Sequence, residues 1–177
     1  MLLSVLSEGG DIRFVALTEG DLPFLLEVRN ECRNFLHDDR EFTLEEARQW
    51  FSSTRPQYWV IYCDGTAIGY FRTSCGAAGS HSIFAGADIR KSHRGLGLGY
   101  KAWCAFLNWQ FSEKQRNKVA LEVLQTNDRA RLLYEKLGFV LEGVKRQEIY
   151  RDGEWIDSIL MSMLRTEWRR QEWARGG

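Results

Sequence analysis

Cysteine is scarce and scattered. The four residues at positions 32, 63, 75 and 104 form no C-x-x-C pair, so neither a zinc site nor a compact disulfide framework is suggested, and free thiols are expected. Two prolines in 177 residues and no Ser/Gly-rich stretch leave nothing to act as a linker. The expectation is one domain over 1–177, with its core at about 11–165 and a short tail at 166–177. Net charge is also missing: Lys plus Arg and Asp plus Glu each total 24. That excludes the broad field that draws a protein to nucleic acid or to an anionic membrane. No long apolar run exists either. The opening "MLLSVLSEGG" stays apolar for only about six residues and has no basic start, unlike a secretory signal, and nothing approaches the ~20 apolar residues of a membrane span. A cytoplasmic location is expected.

What is present reads as an ordinary folded chain, with 44% apolar, 27% charged and 13% aromatic residues. "IRFVAL" (12–17) reads as a strand and residues 19–36 as helical, with Asp21 as the N-cap. Thr43 followed by Glu46 is a capping-box pattern opening a second helix. Two β-rich runs flank Asp64-Gly65, and two more flank Asp152-Gly153, which are hairpin signals. "SIFAGADI" (82–89) and "KVALEVL" (118–124) read as strands. Between them, Leu98, Ala102, Ala105, Phe106 and Trp109 recur at helical spacing. "NDRARLLYEKLGF" reads as a helix, Asn127 at its N-cap and Gly138 at its stop.

The segment "HRGLGLGYKAW" places glycines at 95, 97 and 99, where a strand turns into a helix. Each glycine weakens a helix by roughly 1 kcal/mol relative to alanine, so the pattern needs a reason. Backbone N–H groups exposed at the positive end of a helix bind anions, and glycine lets the backbone approach them closely. His93 and Arg94 are placed to add charge, with Arg94 suited to a bidentate grip on phosphate. The spacing is not G-x-G-x-x-G, and no G-K-[ST] follows, so dinucleotide and P-loop readings fit poorly.

Arg94-x-x-Gly97-x-Gly99 resembles the [RQ]-x-x-G-x-[GA] signature of the GNAT superfamily of N-acetyltransferases. The run Asn127, Ala130, Leu133, Tyr134, Lys136, Leu137, Gly138 and Phe139 looks like that family's second cofactor motif. With the flanking elements the likeness covers roughly residues 12–164. The resemblance implies an α/β (α+β) fold: a mixed, mostly antiparallel sheet of six or seven strands, splayed between its fourth and fifth, with about four helices. It implies acetyl-CoA as co-substrate and no metal. The cofactor-binding residues by similarity are Ile89, Arg90, Arg94, Gly95, Leu96, Gly97, Leu98, Gly99, Asn127 and Tyr134, with backbone groups near 88–90 pairing with the pantetheine amides. Arg131 either reaches phosphate or is solvated.

Acetyl transfer to an amine needs a neutral nucleophile, donors for the developing oxyanion and a proton for the leaving thiolate. By similarity Tyr134 protonates or hydrogen-bonds to the coenzyme A sulfur. Glu122 is the leading base, since some peptide-acetylating relatives carry a glutamate at this strand position; the alternative is a satisfied structural charge. Asp88 is its competitor as base.

The N-terminal third builds the acceptor pocket in this family. It resembles the RimJ/RimL-type branch, which includes ribosomal-protein N-terminal acetyltransferases, together with polyamine acetyltransferases and enzymes acting on nucleotide-linked amino-deoxysugars. The amino-sugar reading is preferred here. Arg29, Asn30 and His37 would meet a sugar diphosphate, and Trp50 and Tyr70 would offer flat surfaces; the plainer reading is salt bridges and core packing. The partner expected is thus a small-molecule amine, with no nucleic acid and no membrane, and a homodimer is left open.

Overall fold

The computed structural model describes residues 3–7, 10–54, 57–77 and 79–168. The chain forms two compact units, one of residues 1–74 and 86–105, the other of 75–85 and 106–177.

The first unit begins with β1 (Leu3–Ser7), antiparallel to β2 (Gly10–Ala16). β1 takes the strands among the described residues to eight, above the six or seven expected, because the short apolar opening pairs with β2. Next comes α1 (Leu22–Cys32), shorter than the helix expected over 19–36, with 3-10 turns at either end. Asp21 stands at its N-cap but makes no cap bond to it. Its carboxylate instead accepts from the Thr18 amide and hydroxyl at 2.8 and 2.7 Å, closing the turn before the helix. The box predicted at Thr43 and Glu46 does form, opening α2 (Leu44–Thr54).

β3 (Gln57–Cys63) and β4 (Thr66–Cys75) join through Asp64 and Gly65 at φ 49° and 79°, the left-handed pair a two-residue hairpin requires. The strand order in this unit is β1-β2-β3-β4-β5, where β5 is Ser82–Ile89 and its second half belongs here. Phe14, Phe71 and Trp103 pack edge-on in succession at 5.6 and 5.0 Å and fill one face. Leu22, Leu25, Val28 and Cys32 bury a stripe of α1 at the 3–4 spacing that its sequence carries.

α3 (Leu98–Asn108) starts in the first unit and ends in the second, where a π turn, Trp109–Glu113, follows it. In the second unit the order is β5-β6-β8-β7, with β6 Lys118–Leu124, β7 Val140–Arg151 and β8 Glu154–Leu164. β5 and β6 run parallel, and their ladder joins 82–84 to 118–120 before it ends. The other ladders here, β6 with β8 and β8 with β7, are antiparallel. α4 (Asp128–Leu137) turns Tyr134 and Leu137 inward and stops at Gly138, φ 90°, as its glycine predicts. The mixed, mostly antiparallel sheet, with four α-helices labelled among the described residues, is the fold class expected. Residues 165–168 make one helical turn, with the Trp168 indole donating to Asn108 at 2.6 Å; the rest of the predicted tail lies outside the described residues.

Candidate functional site

In the first unit β5 hands the chain to a 3-10 turn, Lys91–His93, and then to the glycines. Gly95 and Gly97 adopt φ 84° and 76°, where a Cβ strains the backbone. A Cβ on Gly97 would meet nothing within 4 Å, so that glycine secures a conformation and leaves open space beside it. The first bond of α3 runs from the Lys101 amide to the Gly97 carbonyl at 3.2 Å. Leu98 and Gly99 therefore lie in its first turn, whose N–H groups have no acceptor within the helix and face an anion favourably. Leu96 is exposed beside them.

The arginines are engaged within the protein. The Arg94 guanidinium donates to the Ile89 carbonyl at 2.7 Å and to Cys32 Sγ at 3.1 Å, and lies 3.9 Å from Glu31. It ties the loop to α1 through Cys32 and Glu31. Arg90 grips Glu27 through three contacts of 2.5–3.0 Å, and its amide donates to the Ile68 carbonyl at 2.8 Å. Of the backbone groups near 88–90, the Ile89 carbonyl and the Arg90 amide make bonds within the protein. A Cβ on Gly69 would collide with the Asp88 carbonyl oxygen, so glycine there lets β4 approach β5 at this point.

A cavity of about 460 Å³ lies in the same unit. Of the residues expected to bind acceptor, Arg29, His37, Trp50 and Tyr70 line it. Asn30 is not among the lining residues, and its Oδ1 is buried without a hydrogen bond. Trp50 meets Tyr58 edge-on at 5.2 Å, and Tyr58 stacks on Tyr70 at 5.9 Å. The Arg29 guanidinium donates to the carbonyls of Asp38 and Arg40 at 2.8 and 2.5 Å and covers the Phe42 ring. A side-chain hydrogen bond from Arg40 holds the Asp38 carboxyl at about 2.

Sequence reading missed Arg40, Phe42 and Arg72 in this wall. A guanidinium midway along the apolar run "TAIGYFRTSC" was the available signal for Arg72. Asp88 is buried behind the wall. Its Oδ2 lies 3.3 Å from Arg72 Nε without forming a hydrogen bond. Burial, and secondarily the charge of Asp88, push the Tyr70 hydroxyl well above its ordinary range; Tyr70 also donates a hydrogen bond to that carboxylate.

In the second unit Asn127 accepts from the Ala130 amide at 3.2 Å and caps α4. Tyr134 is buried against Phe139 at 5.7 Å. Arg131 is held by Asp128 and Glu135 along its own helix at 3.0 and 2.9 Å, which favours the solvated surface role over phosphate. Glu122 has both oxygens occupied. Lys145 Nζ approaches Oε2 at 2.8 Å, and the fully buried Ser158 hydroxyl donates to Oε1 at 2.7 Å. These contacts fit the satisfied structural charge, one of the two readings its strand position left open. Among the described residues no His, Cys, Asp or Glu cluster suits a metal, and no helix is long and apolar enough to cross a membrane.

The sequence model of the family described as "Acetyltransferase (GNAT) domain" matches residues 11–140. An uncharacterized N-acetyltransferase of Methanocaldococcus jannaschii, MJ1530, is 29% identical over 142 residues, 73% of this chain and 88% of that protein. The putative ribosomal N-acetyltransferase YdaF of Bacillus subtilis is 30% identical over 84 residues, 48% of this chain. The ribosomal protein uS5-alanine N-acetyltransferase of Escherichia coli is 25% identical over 88 residues, 50% of this chain. The matched regions cover 46% and 45% of those last two proteins, less than half of each. Among solved structures, spermidine N-acetyltransferase from Vibrio cholerae in complex with CoA and spermine superposes with TM-score 0.81 at 23% identity, over 89% of this chain and 98% of that one.

Proposed function

The chain belongs to the GNAT acetyltransferase family, and on that premise we propose that it moves an acetyl group from acetyl-CoA to a primary amine by direct attack in a ternary complex. The observation that carries this reading is the pair of left-handed glycines, Gly95 and Gly97, set before the first turn of α3 with open space beside Gly97. Backbone amides of 95–99 then hold the diphosphate, and acetyl-CoA supplies the activated thioester. Arg94, Ile89 and Arg90 act by fixing the loop's path. In the second unit Asn127 caps the helix that carries Tyr134, and Tyr134 gives a proton to the leaving thiolate.

Asp88 is the better candidate to receive the amine's proton, by way of water, since one of its buried oxygens makes no hydrogen bond. Both oxygens of Glu122 are already committed to Lys145 and Ser158.

The acceptor sits in the cavity lined by Trp50, Tyr58 and Tyr70 with Arg40 and Arg72. The rings suit an amine on a flat or ring-shaped body, such as a nucleotide-linked amino-deoxysugar. A polyamine would need free carboxylates. The lining acid, Asp38, is already paired with Arg40 at 2.8 Å, which argues against it. The second reading is a protein N-terminus beginning with alanine, favoured by the name of the uS5 relative.

Release of free thiol from acetyl-CoA, measured with an amino-sugar nucleotide, an alanine-terminated peptide and spermidine, tests this. Turnover with the first is expected. Turnover with spermidine alone would overturn the acceptor assignment, and no binding of CoA would overturn the function itself.

A further inference from the structure

Helix α1 serves two parts of the first unit at once. Leu25, Leu26 and Arg29 line the cavity. Glu27, Glu31 and Cys32, on neighbouring turns of the same helix, hold the chain between β5 and the glycines. Glu27 grips the Arg90 guanidinium through both carboxylate oxygens. Glu31 Oε2 accepts the Lys91 amide at 2.6 Å. Cys32 Sγ accepts from Arg94 at 3.1 Å. These attachments at 90, 91 and 94 immediately precede Gly95 and Gly97, the residues with most conformational freedom to lose.

We propose that α1 positions the phosphate-binding loop and couples it to the cavity, with Glu27, Glu31 and Cys32 as positioning residues for acetyl-CoA. The inference rests on the acetyl-CoA reading above. A glycine loop left untethered must be ordered by its ligand, and that entropy is subtracted from affinity. Charge-assisted hydrogen bonds made beforehand remove part of the loss. Because the same helix forms a wall of the cavity, a change at Arg29 reaches the loop through α1. The coupling is reciprocal, so an occupied cavity also tightens the hold on the cofactor.

Calorimetric titration with CoA tests the positioning. Glu31→Ala removes the acceptor of the Lys91 amide and is expected to raise the CoA dissociation constant about tenfold. Glu31→Gln retains an oxygen that accepts the same N–H and is expected to stay within about twofold of the parent. KM for acetyl-CoA should rise in Glu31→Ala while kcat at saturation changes far less. Should Glu31→Ala unfold, Glu27→Gln, at an exposed carboxylate, is expected to weaken CoA as well.

The coupling is tested by a double-mutant cycle. Arg29→Ala, which removes a side chain bonded to the Asp38 and Arg40 carbonyls, is expected to weaken CoA at least about threefold alone and to add nothing in the Glu27→Gln, Glu31→Ala background. Folded Glu31→Ala or Glu27→Gln protein that binds CoA like the parent would overturn the positioning role, and additive effects of Arg29→Ala would overturn the coupling. Failure of the parent protein itself to bind CoA would instead remove the function on which both rest.

Discussion

Lys145 Nζ lies 2.8 Å from Glu122 Oε2, linking β7 to β6 in the second unit. The hydrogen bond to Glu122 raises the Lys145 pKa, so the ammonium stays charged across the neutral range. A carboxylate held in this way is a poor base. Glu122→Gln is expected to leave the acid limb of the pH–rate profile in place, and Glu122→Ala to cost about 1–3 kcal/mol of stability, mainly through the buried Ser158 hydroxyl left without its acceptor. Loss of the acid limb in Glu122→Gln with unchanged stability would restore Glu122 as the base.

Tyr134 is assigned the proton for the thiolate. Tyr134→Phe keeps the ring against Phe139 and removes only the hydroxyl. Turnover is expected to fall by about 10²-fold with CoA affinity unchanged. Steady-state thiol release and calorimetry on the same preparation separate the two effects.

Gly97 and Gly65 make a matched pair, since both have positive φ and neither has an atom near the position of its missing Cβ. Alanine at either site should destabilise by about 1–2 kcal/mol through backbone strain. Only Gly97→Ala should also raise KM for acetyl-CoA. An equal change in KM for Gly65→Ala would mean that general destabilisation accounts for both.

Trp50 bounds the cavity on the α2 side. Trp50→Ala is expected to raise KM for the acceptor severalfold while leaving KM for acetyl-CoA near the parent value, as removal of a packed aromatic from one pocket predicts. A larger effect on acetyl-CoA would place the acceptor elsewhere.

Burial, with the charge of Asp88 as the next cause, pushes the Cys32 thiol from its ordinary 9.0 up to about 12. Between these values the unfolded chain ionises before the folded one. The contribution is therefore complete below pH 9 and is lost as pH rises toward 12, at up to about 1.4 kcal/mol per pH unit. Denaturation curves at pH 8, 9 and 10 should show a shallower alkaline decline in Cys32→Ala than in the parent. Iodoacetamide at pH 8 should modify the exposed Cys75 well ahead of Cys32.

Local chemistry was readable along the chain wherever a short pattern has one physical meaning. Asp64-Gly65 and Asp152-Gly153 required left-handed hairpin turns, Thr43 with Glu46 required a capped helix, and Asn127 through Gly138 required a helix begun by a side-chain cap and ended by a glycine. The glycine motif marked the loop before α3 in the same way, because backbone conformation at 95–97 depends on the missing Cβ alone. Side chains that act at long range were not legible.

Arg94 belongs to the motif, yet its partners are a carbonyl at 89 and a thiol at 32. Glu122 alternates on a strand as any carboxylate would, and only β7 and β8 show that Lys145 and Ser158 occupy it. Arg72 entered the cavity wall by the pairing of β4 with β3. Sequence by itself determined the hairpin turns, the caps of α2 and α4, the periodicities and the family, all set by neighbours a few residues apart. Tertiary structure decided which charges are spent on the protein's own frame, because that depends on partners tens of residues away, whose distances only the folded chain fixes.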